Sequence, residues 1–321
     1  ERRKRIPPGL DDKILADWNG MMIAALAFAG DVFRKPEWLD AARRAFAFVQ
    51  SDMTVDGRLR HSWRNGQARH PATLDDHAAL ARAALALYEA TGDIAYVKQA
   101  EAWLATIEAQ YADAAGGGYF FAAADTPTLI TRMKNAHDNA TPSGNGILVG
   151  VFARLFYLTG DDGYRQRAER QIAAFSGEIQ QNFFPLSSLL HGAELLQSAL
   201  QVVLVAAPED PAGEALADVL RQASLPNRIL LRKKPGTPLP TAHPAAGKDL
   251  VGGRAAAFRN APDAADVDRR KIDVAVIAPV AAALTRRVGE RLKRGAAHRD
   301  LPELGLVEER DPLSVGREER A

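Results

Sequence analysis

Apolar and polar positions alternate along the first two hundred residues in a repeating order. A stretch that is apolar nearly all round is followed by a short turn. A second stretch then carries its charges on one face. The order appears in "WNGMMIAALAFAGDVFRKPEWLDAARRAFAFV" from Trp18, in "LDDHAALARAALALYEATGDIAYVKQAEAWLATI" from Leu74, and in "PSGNGILVGVFARLFYLTGDDGYRQRAERQIAAF" from Pro142. Asn19, Asp76 and Asn145 occupy equivalent places near the start of the first stretch. Trp38, Tyr96 and Tyr164 do so near the start of the second, each followed four residues later by alanine (Ala42, Ala100, Ala168). Two landmarks that keep step identify repeats of one structural unit.

The pattern assigns each helix to a layer. The first of each pair is predicted to be buried, with Ala24, Ala25, Leu26, Leu80, Ala84, Leu85, Ile147 and Val151 inside. The second is predicted to be outer, with Lys98, Glu101, Arg165 and Glu169 exposed. "TGD" at 91–93 and 159–161 joins the two, glycine stopping one helix and aspartate capping the next. "DGRLRHSW" (56–63) and "GGGYFFAAAD" (116–125) read as short β-ribbons between hairpins, and a fourth unit begins near "FFPLSSLLHGAELLQSALQ". The fold class expected is mainly α: a partial α/α toroid of inner and outer helices over residues 1–200, an incomplete ring. A plain α-solenoid is the competing architecture. "QVVLVAAPEDPAGEALADVLRQASLPNRILLRKK" reads strand, helix, strand, a small βαβ-like α/β appendage over 201–248. Residues 249–321 read as a divergent tail, poorly ordered, in which "VAVIAPVAAALTRRVGERLKR" is compatible with a helix despite Pro279.

Composition narrows the function classes. The net charge is +1, with 25% charged residues, so no strong field points to nucleic acid or an anionic membrane. No apolar run reaches the ~18 residues of a bilayer span. Cysteine is absent, which excludes disulfides, thiolate metal sites and cysteine nucleophiles within this sequence and fits a cytoplasmic location. The sequence opens on Glu1 with no apolar leader, and is expected to begin partway through a longer protein.

Polar clusters fall at the predicted starts of the inner helices: "DDK" and "DWN" (11–13, 17–19), "TLDDH" (73–77), "RMKNAHDNA" (132–140) and "PSGN" (142–145). In a toroid these converge on one mouth. Paired carboxylates beside an aromatic and several amides suit carbohydrate chemistry: one acid protonates the leaving oxygen, another serves as base or nucleophile, and an indole stacks on a sugar face. Asp76 and Asp138 are the expected acid and base. Trp18 is expected to stack, and Asn19, His77, Arg132, Lys134, Ser143 and Asn145 to bind hydroxyls or an anionic group. Each has a plainer alternative. Thr73 with Asp76 has the spacing of a capping box, Ser143 that of an N-cap, His77 suits a core hydrogen bond and Trp18 helix packing. Asp11 and Asp12 suit a solvated turn. His61 and His70 lack a metal-ligand pattern, and neither a metal nor a cofactor is called for.

The segments "RKRIPPGLDDKILADWNGMMIAALA", "LDDHAALARAALALYEATGD", "GGGYFF", "LITRMKNAHDNATPSGNGILVGVFARL" and "LPNRILL" resemble the C-terminal half of the YyaL, or spermatogenesis-associated, thioredoxin-domain-containing proteins. Two motifs carry most of the resemblance, D-x-K-x-x-x-x-W-N and R-x-K-x-x-x-D-x-A-x-P-S-G-N. It implies a toroid like that of six-hairpin glycosidases and sugar 2-epimerases, with a thioredoxin-like domain as partner in the full-length protein. Carried over by position, the motif residues are Asp12, Lys13, Trp18 and Asn19; Asp75, Asp76 and His77; and Arg132, Lys134, Asp138, Pro142, Ser143 and Asn145. After Lys248 the sequence departs from the family's pattern. Two functions follow as expectations: a glycoside hydrolase- or epimerase-like cavity taking a sugar or polyol, or a non-catalytic ligand- or protein-binding toroid accompanying the thioredoxin-like domain.

Overall fold

In the computed structural model, the described residues are 4–6, 9–127, 130–223, 225–241, 243, 245–260 and 272–273. Three helical hairpins follow one another: α1 (Ala16–Val32) with α2 (Pro36–Asp52), α3 (Leu74–Thr91) with α4 (Ile94–Gln110), and α5 (Gly144–Thr159) with α6 (Asp162–Ala174). The short helix α7 (Ser176–Gln181) leads to α8 (Ser187–Ser198), which supplies a fourth inner helix. The inner helices stand side by side in the order α1, α3, α5, α8, and α2, α4 and α6 back them from outside. This is a partial α/α toroid, with a small α/β sheet region after it.

Local sequence explains the turns and the close approach. Gly92 and Gly160 end α3 and α5 in the left-handed conformation, at φ 75° and 74°. The next residues, Asp93 and Asp161, cap α4 and α6 through backbone N–H of Ala95 and Gly163. Small residues bring inner helices together. A Cβ on Gly192 of α8 would lie 2.7 Å from the Gly150 nitrogen of α5, and one on Gly20 of α1 would lie 2.8 Å from the Ala79 backbone of α3.

The layer prediction holds on α3 and α5, where Leu80, Ala84, Leu85, Ile147 and Val151 are buried. It holds only in part on α1: Ala24 is buried, Leu26 is half-buried, and Ala25 is exposed. Trp18, Met22 and Phe28, at 60%, 58% and 64% exposure, extend an uncovered apolar stripe along that helix. The reason is positional. α3 and α5 each have an inner helix on both sides, whereas among the described elements α1 has an inner neighbour only in α3. On the outer layer Lys98 and Glu169 are exposed, but Glu101 and Arg165 are half-buried. Glu101 accepts the Tyr164 hydroxyl at 3.0 Å, and Arg165 pairs with Asp162 and Glu169.

Of the two expected ribbons, the first forms. β3 (Arg58–Arg64) pairs antiparallel with β1 (Ile14–Leu15), β2 (Thr54–Val55) and β4 (Gln67–Pro71). The second does not. Residues 116–125 make a single bridge, Ala112 with Tyr119. Their backbone bonds disperse instead: Phe120 N–H goes to Tyr111 O, Phe121 N–H to Met133 O, and Tyr119 N–H to Asn145 Oδ1.

The βαβ unit is present. β5 (Leu200–Val205) runs parallel to β6 (Arg228–Lys233), with α9 (Pro211–Gln222) crossing between them. Past the boundary expected at 248, β7 (Ala256–Asn260) adds antiparallel to the other edge of β5, and β8 (Ile272–Asp273) pairs with β7. The apolar run of β5 serves two faces. Val203, Val205, Ile229 and Leu231 join the core of the helices, while Val202, Leu204 and Leu230 pack with Ala217 and Leu220 of α9. The sheet also meets the C-terminal end of α3, where the Tyr88 hydroxyl donates to Arg232 O and accepts from Arg232 N–H. The helix read at "VAVIAPVAAALTRRVGERLKR" lies outside the described residues.

Candidate functional site

Three acids of the polar clusters connect the N-terminal ends of the inner helices. Asp76 forms the expected capping box: Thr73 Oγ1 accepts the Asp76 N–H, and Asp76 Oδ2 accepts the Thr73 N–H at 2.7 Å. Its Oδ1 reaches the neighbouring helix and accepts the Asp17 N–H of α1 at 3.0 Å. Asp75 turns the other way, its Oδ1 accepting the Gly144 N–H of α5 at 2.7 Å. Asp138, on the segment before α5, accepts the Ser143 N–H at 2.9 Å through Oδ1 and the Ser188 N–H of α8 at 2.7 Å through Oδ2. Three carboxylates thus link α1, α3, α5 and α8 in sequence, each meeting backbone donors that a helix start leaves unsatisfied. Gly144 is required here, because a Cβ at that position would stand 2.5 Å from Asp75 Oδ1.

His61 joins from β3. Its Nδ1 lies 3.0 Å from both oxygens of Asp76, which is fully buried. That hydrogen bond raises the His61 pKa above its usual value against the opposing effect of burial. Asp17 is half-buried, and its pKa is raised first by burial and then by the Asp76 charge. Asp75 is shifted most among these acids: burial carries its carboxyl from 3.8 to about 6, with the Gly144 N–H pulling the other way and the Asp76 and Asp17 charges adding to the rise. The mouth therefore contains a carboxyl raised to about 6, a second acid and a histidine. Trp18, beside Asp17, is 60% exposed. Asp17, His61 and Asp76 bring candidate ligand atoms within 4.8 Å of one another, a spacing compatible with a cation. Both Asp76 oxygens, however, already accept hydrogen bonds from Thr73, Asp17 and His61.

The remaining expected site residues are placed variously. Asn19 donates to the carbonyl of Leu15, the residue before α1. Asp12 pairs with Arg64 at the surface. His77 is 2% exposed, with Nδ1 3.1 Å from Thr73 O and its ring against Tyr111, and burial lowers its pKa. Asn145 is 1% exposed and bonds Tyr119 on both its N–H and its carbonyl, as well as Asn135 O and Gln171. Ser143 caps α5 through Gly146 N–H and donates to Ala136 O. Arg132 and Lys134, expected to bind hydroxyls or an anionic group, are engaged by the protein itself. Arg132 donates to Ala122 O and Gln110 O over the Phe120 ring, and Lys134 donates to Asp113 and Gly117 O. These two cations tie the loop after α4 in place, which accounts for part of the polarity of "RMKNAHDNA". Sequence reasoning passed over His61, because nothing near it on β3 announces a partner fifteen residues away on α3.

A row of inner-helix N-termini with acids at one mouth defines the chain as a partial α/α toroid. Among known proteins it is similar to spermatogenesis-associated protein 20 of Rattus norvegicus, 28% identical over 242 residues, a match covering 72% of this chain and 31% of that protein. An uncharacterized protein of Caenorhabditis elegans is 28% identical over 177 residues, covering 53% of this chain and 24% of the relative. These matches bear out the family resemblance of the motifs. The chain spans about a third of the length of the first of these relatives, 31%. No protein-family model matches it. Similar solved structures include a family 76 alpha-mannanase of Bacteroides thetaiotaomicron, with TM-score 0.47, 17% identity, and coverage of 59% of this chain and 52% of that one. Another is the cellobiose 2-epimerase of Spirochaeta thermophila, with TM-score 0.43, 19% identity, and coverage of 52% and 44%. No described helix is long and apolar enough to cross a membrane.

Proposed function

We propose that the mouth formed by α1, α3 and β3 is a catalytic cavity for a sugar or polyol, acting by hydrolysis or epimerisation. The observation that carries this reading is the pair of acids opening α3: Asp75, its carboxyl raised to about 6 chiefly by burial, and next to it in sequence Asp76, which meets Asp17 and His61. A carboxyl in that range holds a proton long enough to give it to a leaving oxygen, and takes one back in the next step. In hydrolysis, Asp75 protonates the glycosidic oxygen as its bond to the anomeric carbon breaks. Asp17 receives the proton of the attacking water. In epimerisation the same two groups remove and return a carbon-bound proton on opposite faces. Asp76 acts through His61 and the α1 N-terminus as a positioning group, because its oxygens are already engaged. Asp138 holds α5 to α8. Trp18 offers a stacking face.

A second reading is favoured by one observation: Asp76 and Asp138 are spent on helix ends. A toroid whose acids serve the fold is a ligand- or protein-binding module, and a thioredoxin-like domain in a longer protein is the partner proposed for it. The two readings separate on a panel of disaccharides, mannans and reducing sugars assayed for released sugar and for epimer formation. Turnover that disappears in Asp75→Asn while sugar binding persists supports the enzyme. Sugar binding without turnover in the unaltered protein supports the module.

A further inference from the structure

Asp75, Arg82 and Glu89 lie at seven-residue spacing along one face of α3, so Arg82 stands about 10 Å of helix rise beyond the acids of the mouth. At that level α1, α3, α5, the end of α9, Ala223, Leu225 and Pro226 line an open cavity of about 590 Å³. Its charged lining is unbalanced. Arg221 is fully engaged, with Nε donating to Asp31 at 2.8 Å and Nη1 to Glu214 and Asp218 at 2.6 Å. Arg82, Arg154 and Arg228 then face one remaining acid, Glu89. Arg228 Nη1 donates to Leu220 O at 2.8 Å. Arg154 Nε stands 3.9 Å from Glu89, and its Nη1 is buried with no hydrogen-bond partner. Arg82 is exposed and makes no hydrogen bond or ion pair among the described residues, and the Arg154 charge acts on it unfavourably.

Arg154 thus carries one buried donor without a partner, and Arg82 adds a second positive charge open to the same cavity; an anion between them would satisfy the donor and offset the repulsion. We infer that this cavity binds a phosphate monoester, its dianionic group held by Arg82 and Arg154 and its organic part against Phe28, Leu225 and Pro226. The charge count favours a dianion, since three guanidiniums against one carboxylate leave an excess of two. Planar guanidiniums match phosphate oxygens in geometry as well as charge. The apolar wall favours an ester over the free ion. This inference is independent of the chemistry proposed for the mouth.

The test is calorimetric titration of the full chain with phenyl phosphate, inorganic phosphate and benzoate. Phenyl phosphate is expected to bind at least about tenfold tighter than either of the others. Arg82→Gln, at a position open to the cavity, should weaken it by about tenfold with unchanged circular dichroism, and Arg154→Gln by at least as much. Lys98→Gln on the outer helix α4 should leave it unchanged. Phenyl phosphate failing to bind by about 10 mM, benzoate or inorganic phosphate matching it, or Arg82→Gln binding as the unaltered protein does would each overturn the assignment.

Discussion

His61 Nδ1 stands 3.0 Å from both carboxylate oxygens of Asp76, joining β3 to the start of α3 across a contact that is fully buried on the aspartate side. Because the contact raises the His61 pKa, its contribution to stability is complete below the ordinary histidine value near 6.5 and is lost as pH rises through the higher folded value. Melting temperature should therefore fall across that window. In His61→Gln the same window should flatten. An identical pH profile in the two proteins would remove His61 from the site.

Asp75 has the opposite sense for a carboxylate. Its folded pKa is above 3.8, so the folded state holds the proton longer, and stability attributable to Asp75 declines as pH rises from about 4 to about 6. At pH 8 Asp75→Asn should accordingly be more stable than the unaltered protein, by about 1–3 kcal/mol, because the neutral amide avoids the buried charge and still accepts the Gly144 N–H. Chemical denaturation at pH 8 measures it. A less stable variant would show that the charge is favourable where it sits.

Asp138 bridges two helices, and its removal should act on stability. Asp138→Ala leaves the Ser143 and Ser188 N–H groups without their acceptor and should cost about 2–4 kcal/mol. Ser143→Ala loses the cap on Gly146 and should cost about 0.5–2 kcal/mol. Neither should alter the affinity of a ligand at the mouth. Unfolding curves paired with titrations check both, and a loss of affinity at full stability would give Asp138 a direct role.

Gly192→Ala should destabilise by about 1–3 kcal/mol, because the added methyl would stand 2.7 Å from the Gly150 nitrogen and 2.8 Å from Val149 Cβ. The measurement is a melting curve, and unchanged stability would mean that α5 and α8 separate freely.

The uncovered stripe on α1 should make the chain self-associate. Trp18, Met22 and Phe28 are each more than half exposed, and apolar surface of this kind is normally covered. Light scattering should detect species larger than a monomer, reduced in Met22→Lys. A monodisperse monomer at high concentration would count against it.

The sequence by itself determined the hairpins, because their signals are local. Apolar periodicity marks inner and outer helices, and glycine followed by aspartate at 92–93 and 160–161 carries the stop and the next start within two residues. The capping box at Thr73 and Asp76 was legible for the same reason. The tertiary structure alone decided what the remaining polar groups do. Asp76 reaches α1, Asp75 reaches α5 and Asp138 reaches α8 only because the inner helices stand side by side. His61 meets Asp76 only because β3 folds against that row. Arg132 and Lys134 are drawn away by carbonyls and an acid of the neighbouring loop, contacts that no spacing within "RMKNAHDNA" encodes. Helix starts and stops are fixed by residues within a turn of one another, whereas the partner of a carboxylate is fixed by which helix packs beside it.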